Sequence, residues 1–107
     1  MYAQVRKYHS IRGGRTTEQV CRDIERTGVS RLTQVPGFVD YFALELNDGG
    51  LLTVSIYQDK AGVEAAKEVS AKWNTTEGEG ALPERPDEAF EGQVRIHHPS
   101  TKKEAAA

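Results

Sequence analysis

The residues of this 107-residue chain best suited to chemistry near neutral pH are His9, His97, His98 and the single cysteine, Cys21. Their spacing excludes more than it offers. His97 and His98 are adjacent, so on a strand they face opposite ways. His9 and His97 fall at opposite ends of antiparallel neighbours in the arrangement derived below. At strand rise they lie about 20–25 Å apart and cannot share a metal, so no metal is expected. Gly13-Gly14 lacks the residues that complete a phosphate loop and reads as a turn. Cys21 lies beside an apolar helical stripe and reads as core rather than nucleophile. No Ser-His-Asp set can be assembled. What remains is His9 with Lys7 on one segment and Trp73-Asn74 on another. A neutral imidazole is a competent base near pH 7. An indole stacks on flat aromatics, and a Lys and an amide beside it orient a phenol.

The elements that would position these residues follow from pattern and caps. Tyr2 to Ser10 has strand composition, and Gly13-Gly14 breaks it. Thr16 and Gln19 have capping-box spacing, opening a helix with Val20, Ile24 and Gly28 on one face. Gly28 or Pro36 ends that helix. Gly37 to Asn47 is a second strand, Asn47-Asp48-Gly49-Gly50 a hairpin turn, and Leu51 to Gln58 a third strand. Asp59 caps a second helix through about Trp73, with Gly62, Ala66, Val69 and Trp73 on its buried stripe. Residues 74–87 are loop, and Glu88 to His97 is the fourth strand, stopped by Pro99.

The order β-α-β-β-α-β is that of a ferredoxin-like α+β fold, with an antiparallel sheet ordered 4-1-3-2 and both helices on one face. One domain spans residues 1–98, with a frayed tail at 99–107. Alternation along the strands separates the three Phe from the four Tyr. The Phe face is expected to be the core under the helices. The Tyr face, with Tyr2, Arg6, Tyr8, Tyr41, Tyr57 and Arg95, is expected to be uncovered and to form a protein interface, since Tyr and Arg are enriched there. In this topology the end of strand one and the end of helix two share a rim. Lys7 and His9 are then expected on the helix side of that rim, facing Trp73 and Asn74. The alternative is that Trp73 plugs the end of the core while Lys7 and His9 are solvated.

Val35-Pro36-Gly37-Phe38-Val39 before a strand, and Val54-Ser55-Ile56-Tyr57-Gln58-Asp59-Lys60-Ala61-Gly62 leading into a helix, resemble the antibiotic biosynthesis monooxygenase-like family. Trp73, Leu82-Pro83 and Gly92-Gln93-Val94-Arg95 resemble its small stand-alone bacterial members. The resemblance implies a dimeric α+β barrel, packed through the uncovered sheet faces, with any ligand between each sheet and its helices. It implies a cofactor-independent monooxygenase of a small phenolic or quinone-type aromatic. His9 would be the catalytic base, and Lys7, Trp73 and Asn74 would bind substrate. A non-enzymatic small-ligand-binding or stress-related dimer is the alternative, and an isomerase or decarboxylase a third. The haem-degrading branch would call for an Asn on strand one and a His following the Trp. Both are missing here, so no cofactor is expected.

Composition bounds the rest. Fourteen Lys and Arg against sixteen Asp and Glu give a net charge of −2, which offers no broad surface to a nucleic-acid backbone. A lone cysteine forms no internal disulfide and suits a reducing compartment. No stretch is long enough to span a membrane. The expectation is a cytoplasmic homodimer without nucleic-acid or membrane partners.

Overall fold

The computed structural model describes residues 1–99. Its elements are β1 (Tyr2–Tyr8), α1 (Thr17–Asp23), a π-helical turn (Ile24–Gly28), α2 (Val29–Leu32), β2 (Phe38–Glu45), β3 (Leu51–Tyr57), α3 (Lys60–Thr75) and β4 (Glu88–Gln93). The strands form one antiparallel sheet ordered β2-β3-β1-β4, the expected order read from its other edge. This is the ferredoxin-like α+β fold. The expected tail beyond Pro99 lies outside the described residues.

Local chemistry accounts for the element starts. The Thr16 hydroxyl accepts from the Gln19 N–H at 3.1 Å, and the Gln19 side chain accepts from the Thr16 N–H at 2.9 Å. This reciprocal pair satisfies two donors that the first helical turn leaves free. The Asp59 carboxylate does the same for Gly62 at 3.0 Å, opening α3. Gly49 turns the β2–β3 hairpin at φ 91°, a conformation that only glycine adopts freely. Gly28 does not end the first helix. Its φ of −84° is ordinary helical backbone, and the helix passes through it to Leu32.

The alternation along the strands is as expected, but the two faces are exchanged. The helices cover the tyrosine face, where Tyr8 and Tyr57 are 3% and 0% exposed, whereas Phe42 and Phe90 are 52% and 59% exposed on the open face. Tyr2, Arg6, Tyr8, Tyr41 and Tyr57 therefore do not lie on the uncovered face, and Arg95 falls beyond the end of β4. The reason lies in the helices. A Cβ on Gly62 would stand 2.8 Å from the Tyr57 Cβ, so the bare glycine lets a full tyrosine ring pack beneath α3. The Tyr57 hydroxyl donates to the Leu32 carbonyl at 2.8 Å, which removes the penalty for burying it. A bulge between Phe38 and Asp40 shifts the register of β2 and moves Phe38 to the helix side. There its ring meets Tyr57 edge-on, with centroids 5.7 Å apart.

β4 ends at Gln93, four residues before its expected end. The Val94 N–H donates to the Met1 carbonyl at 2.9 Å, and the chain then leaves the sheet. The His97 Nε2 lies 2.7 Å from the Asp40 carboxylate on β2, at the opposite edge of the sheet. This segment therefore crosses the sheet at that end. Among the described residues no helix is long and apolar enough to cross a membrane.

Candidate active site

Between the covered face of the sheet and the helices lies a small, partly open chamber with a cavity volume of about 40 Å³. Five residues, Gln4, Arg6, Tyr8, Ser70 and Leu82, also line a wider cleft of about 340 Å³, bordered by Pro83, Glu84 and Pro86 of the loop after α3. Chamber and cleft therefore read as one site with an inner room and an outer mouth.

The floor is set by strand pairing. Gln4, Arg6 and Tyr8 alternate onto this face of β1. Gln4 stands between Ser55 and Glu91, Arg6 between Thr53 and Ala89, and Tyr41 beyond Ser55. Ile24 and Gly28 of the π turn, Ala66, Val69 and Trp73 of α3, and Leu82 of the loop complete the wall. Small side chains on both helices are what leave the space.

Trp73 is buried and forms part of that wall. Its indole N–H donates to the Thr27 hydroxyl at 2.7 Å, and that hydroxyl donates to the Asp23 carbonyl at 3.0 Å. The π turn thus supplies the acceptor that a buried indole requires. A Cβ on Gly78 would fall 2.7 Å from the Trp73 ring, so only glycine lets the loop close over the indole. Arg15 holds the same loop. It contacts the Asp23 carboxylate at 3.0 Å, donates to the Gly78 carbonyl at 3.2 Å and pairs with Glu79 at 2.7 Å.

Arg6 carries the only formal charge lining the chamber among the described residues. Among the described residues its guanidinium has no ion pair and no side-chain hydrogen bond. The hydroxyls of Tyr8 and Tyr41 likewise have no protein partner among the described residues, in contrast to Tyr57. Burial pushes the Tyr41 phenol well above its ordinary range, with smaller contributions from Cys21 and Tyr8 and an opposing one from Arg6. At neutral pH Tyr41 is a hydrogen-bond donor and not a base. Burial, and then the Glu45 carboxylate, raise the Cys21 thiol, so it remains protonated. No carboxylate or imidazole lines the inner chamber among the described residues.

At the mouth, Lys67 pairs with Glu91 at 2.5 Å and with Glu64 at 2.9 Å. The Lys67 hydrogen bond holds the Glu91 carboxyl below the usual carboxylate range. The Gln4 Nε2 donates to the same carboxylate at 3.2 Å.

Of the four residues expected to form the site, the structure brings one into the chamber. Trp73 is there. Asn74 lines only the outer cleft, and its amide is used up by Leu82: it donates to the carbonyl at 2.9 Å and accepts from the N–H at 3.0 Å. Lys7 pairs with Leu52 and Glu88 on the open side of the sheet, so it does not face Trp73. His9 is exposed beyond β1 and lines neither space, and its backbone N–H donates to Asp87 at 2.6 Å. Both placements follow from the exchanged faces. Gln4, Arg6, Tyr8 and Tyr41 take their place. Their shared parity along the strands was visible in the sequence, but not the side on which the helices lie.

No protein-family model and no curated protein matches the chain. Solved structures do. The monooxygenase from the gene ActVA-Orf6 of Streptomyces coelicolor, determined with the ligand nanaomycin D, superposes with a TM-score of 0.67 and is 16% identical over 92% of each chain. SnoaB, a cofactor-independent oxygenase from Streptomyces nogalater, gives a TM-score of 0.66 at 16% identity, covering 92% of this chain and 97% of that one. The chain has the fold of the antibiotic biosynthesis monooxygenases. The same monooxygenase fold occurs in NE2512 of Nitrosomonas europaea, a protein of unknown function, with a TM-score of 0.68, 14% identity and coverage of 94% and 95%. At these identities the likeness to the monooxygenases is one of architecture, and the chemistry has to be argued from the chamber itself.

Proposed function

We propose that the protein is a cofactor-independent monooxygenase of a flat phenolic or quinone-type aromatic, held in the chamber as its anion against Arg6. The observation that carries this is the Arg6 guanidinium, unpaired among the described residues in a largely apolar room walled by an indole and two partnerless phenols. A half-buried cation without a counter-ion favours an anionic ligand. Arg6 lowers the pKa of a bound phenol by roughly 1–3 at a separation of 4–6 Å. Tyr8 and Tyr41 donate hydrogen bonds to its oxygens, and Trp73 stacks on the ring.

The substrate supplies the electrons. A phenolate with hydrogen on its para carbon reacts with dioxygen at that carbon to form a hydroperoxide. Loss of the carbon-bound hydrogen and cleavage of the O–O bond release water and leave a quinone carbonyl. One oxygen atom enters the product and the other enters water. The protein's part is to hold the anion, align its ring and exclude bulk water. The phenolic proton leaves through the outer cleft on binding, and a proton returns by the same route to the peroxide, so that the hydroxide cleaved from it departs as water with the carbon-bound hydrogen's proton.

The test is oxygen uptake with polycyclic phenols, measured together with quinone formation. The wild type should consume one dioxygen per quinone formed. Arg6→Gln should lose roughly tenfold to a hundredfold in rate at limiting substrate, the worth of a charged hydrogen bond. Binding of the phenols without oxygen uptake would instead support a non-enzymatic binding protein. That second reading is favoured by one observation, the lack of a carboxylate or imidazole among the residues of the inner chamber.

The same reading includes a homodimer through the open sheet face. Phe42, Leu44 and Phe90 are exposed there, and an apolar patch of that kind on a sheet marks an interface.

A further inference from the structure

Gln4 is a buried amide whose two ends have different fates. It is 8% exposed and lines both chamber and cleft. Its Nε2 donates to Glu91 at 3.2 Å. Glu91 is held by Lys67 at 2.5 Å and stays ionised, so it can only accept. The amide cannot turn over without setting its carbonyl oxygen against a carboxylate. Lys67 and Glu91 therefore fix Gln4 in one orientation, and among the described residues its Oε1 meets no donor. A buried acceptor left unpaired costs stability and selects a ligand that satisfies it.

Arg6 is the next residue but one on the same face of β1, so the two Cα atoms lie about 6.6 Å apart. One side chain offers a positive donor, the other a fixed acceptor. We propose that Gln4 is a specificity-determining residue, and that the ligand is a dihydroxylated aromatic. It would present one oxygen as the anion to Arg6 and a second, on a non-adjacent ring carbon, as an O–H donor to the Gln4 carbonyl. Hydroxyls on adjacent carbons are too close to span the pair and hydrogen-bond to each other instead. Glu91 acts through Gln4 as a positioning residue. The inference rests on the phenol-binding reading above and narrows its substrate class.

The experiment measures anaerobic quenching of Trp73 fluorescence by 1,3-dihydroxynaphthalene, 1-naphthol and 3-methoxy-1-naphthol. The wild type should bind the dihydroxy compound tighter than both others by roughly tenfold or more. Gln4→Leu should abolish that preference by weakening the dihydroxy compound alone. Glu91→Gln, which frees the amide to turn over, should reduce the preference for the dihydroxy compound over 1-naphthol. Equal binding of all three to the wild type, or a preference that survives Gln4→Leu, overturns the inference while leaving Arg6-dependent phenol binding standing. If none of the three binds, the phenol-binding reading falls and this inference with it.

Discussion

Tyr41 and Tyr57 carry a measurable signature of their burial. Desolvation raises both phenols above the ordinary value of about 10. An unfolded chain releases these protons near that value, and the folded chain holds them longer. Their contribution to stability is thus fully present below about pH 10 and is lost as pH rises through the raised folded values. Near-ultraviolet phenolate absorbance, followed beside circular dichroism, should show Tyr41 ionising only as the fold is lost. Tyr41→Phe should move alkaline unfolding to higher pH. Ionisation of Tyr41 in its ordinary range with the fold intact would contradict its placement. At the same scale, Arg6 and Tyr8 look like interface residues in the sequence because Tyr and Arg favour interfaces. What reverses that assignment is small and local: Gly62 on α3 makes room for the Tyr57 ring beneath it.

The elements themselves were largely legible. Thr16 with Gln19, Asp59, and the Asn47–Gly50 turn each carry a stereochemical requirement that one sequence satisfies and the structure uses. Alternation also sorted the strand residues into two sets. It could not say which set faces the helices, because both sets contain large rings. The usual rule that Phe is buried more often than Tyr pointed the wrong way. Complementarity was the better signal, since a helix stripe of Gly and Ala demands bulk opposite it. The bulge at Phe38 and the end of β4 at Gln93 carry no such marker. Both depend on tertiary contacts: the edge-on packing of Phe38 against Tyr57, and the Val94 bond to Met1 that carries the chain off the sheet. The exchange of faces moved the site from Lys7 and His9 to Arg6 and Tyr8, one residue along the same strand. A single error of parity thus accounts for both misplacements.

Over the whole molecule, the two sheet faces divide the labour. The covered face holds the largely apolar chamber with Arg6 in it. The open face presents Phe42, Leu44 and Phe90 to solvent, and a second copy is the occupant expected to cover them. An interface of standard size buries about 1,600 Å² in total, and a charge placed at its centre is costly. Phe42→Glu should therefore convert dimer to monomer in sedimentation at micromolar concentration, with little loss of secondary structure. A wild type that sediments as a monomer under those conditions would remove the dimer from the account.

The central claim is that the chamber holds a phenol as its anion because of Arg6. The most direct measurement is the ultraviolet spectrum of protein-bound 1-naphthol, titrated with pH in the absence of oxygen. The account predicts that the bound phenol ionises roughly 1–3 pKa units below the free one, and that Arg6→Gln returns it to the free value. A bound naphthol that stays neutral over the range in which free naphthol is neutral, or a depression that persists in Arg6→Gln, would contradict it.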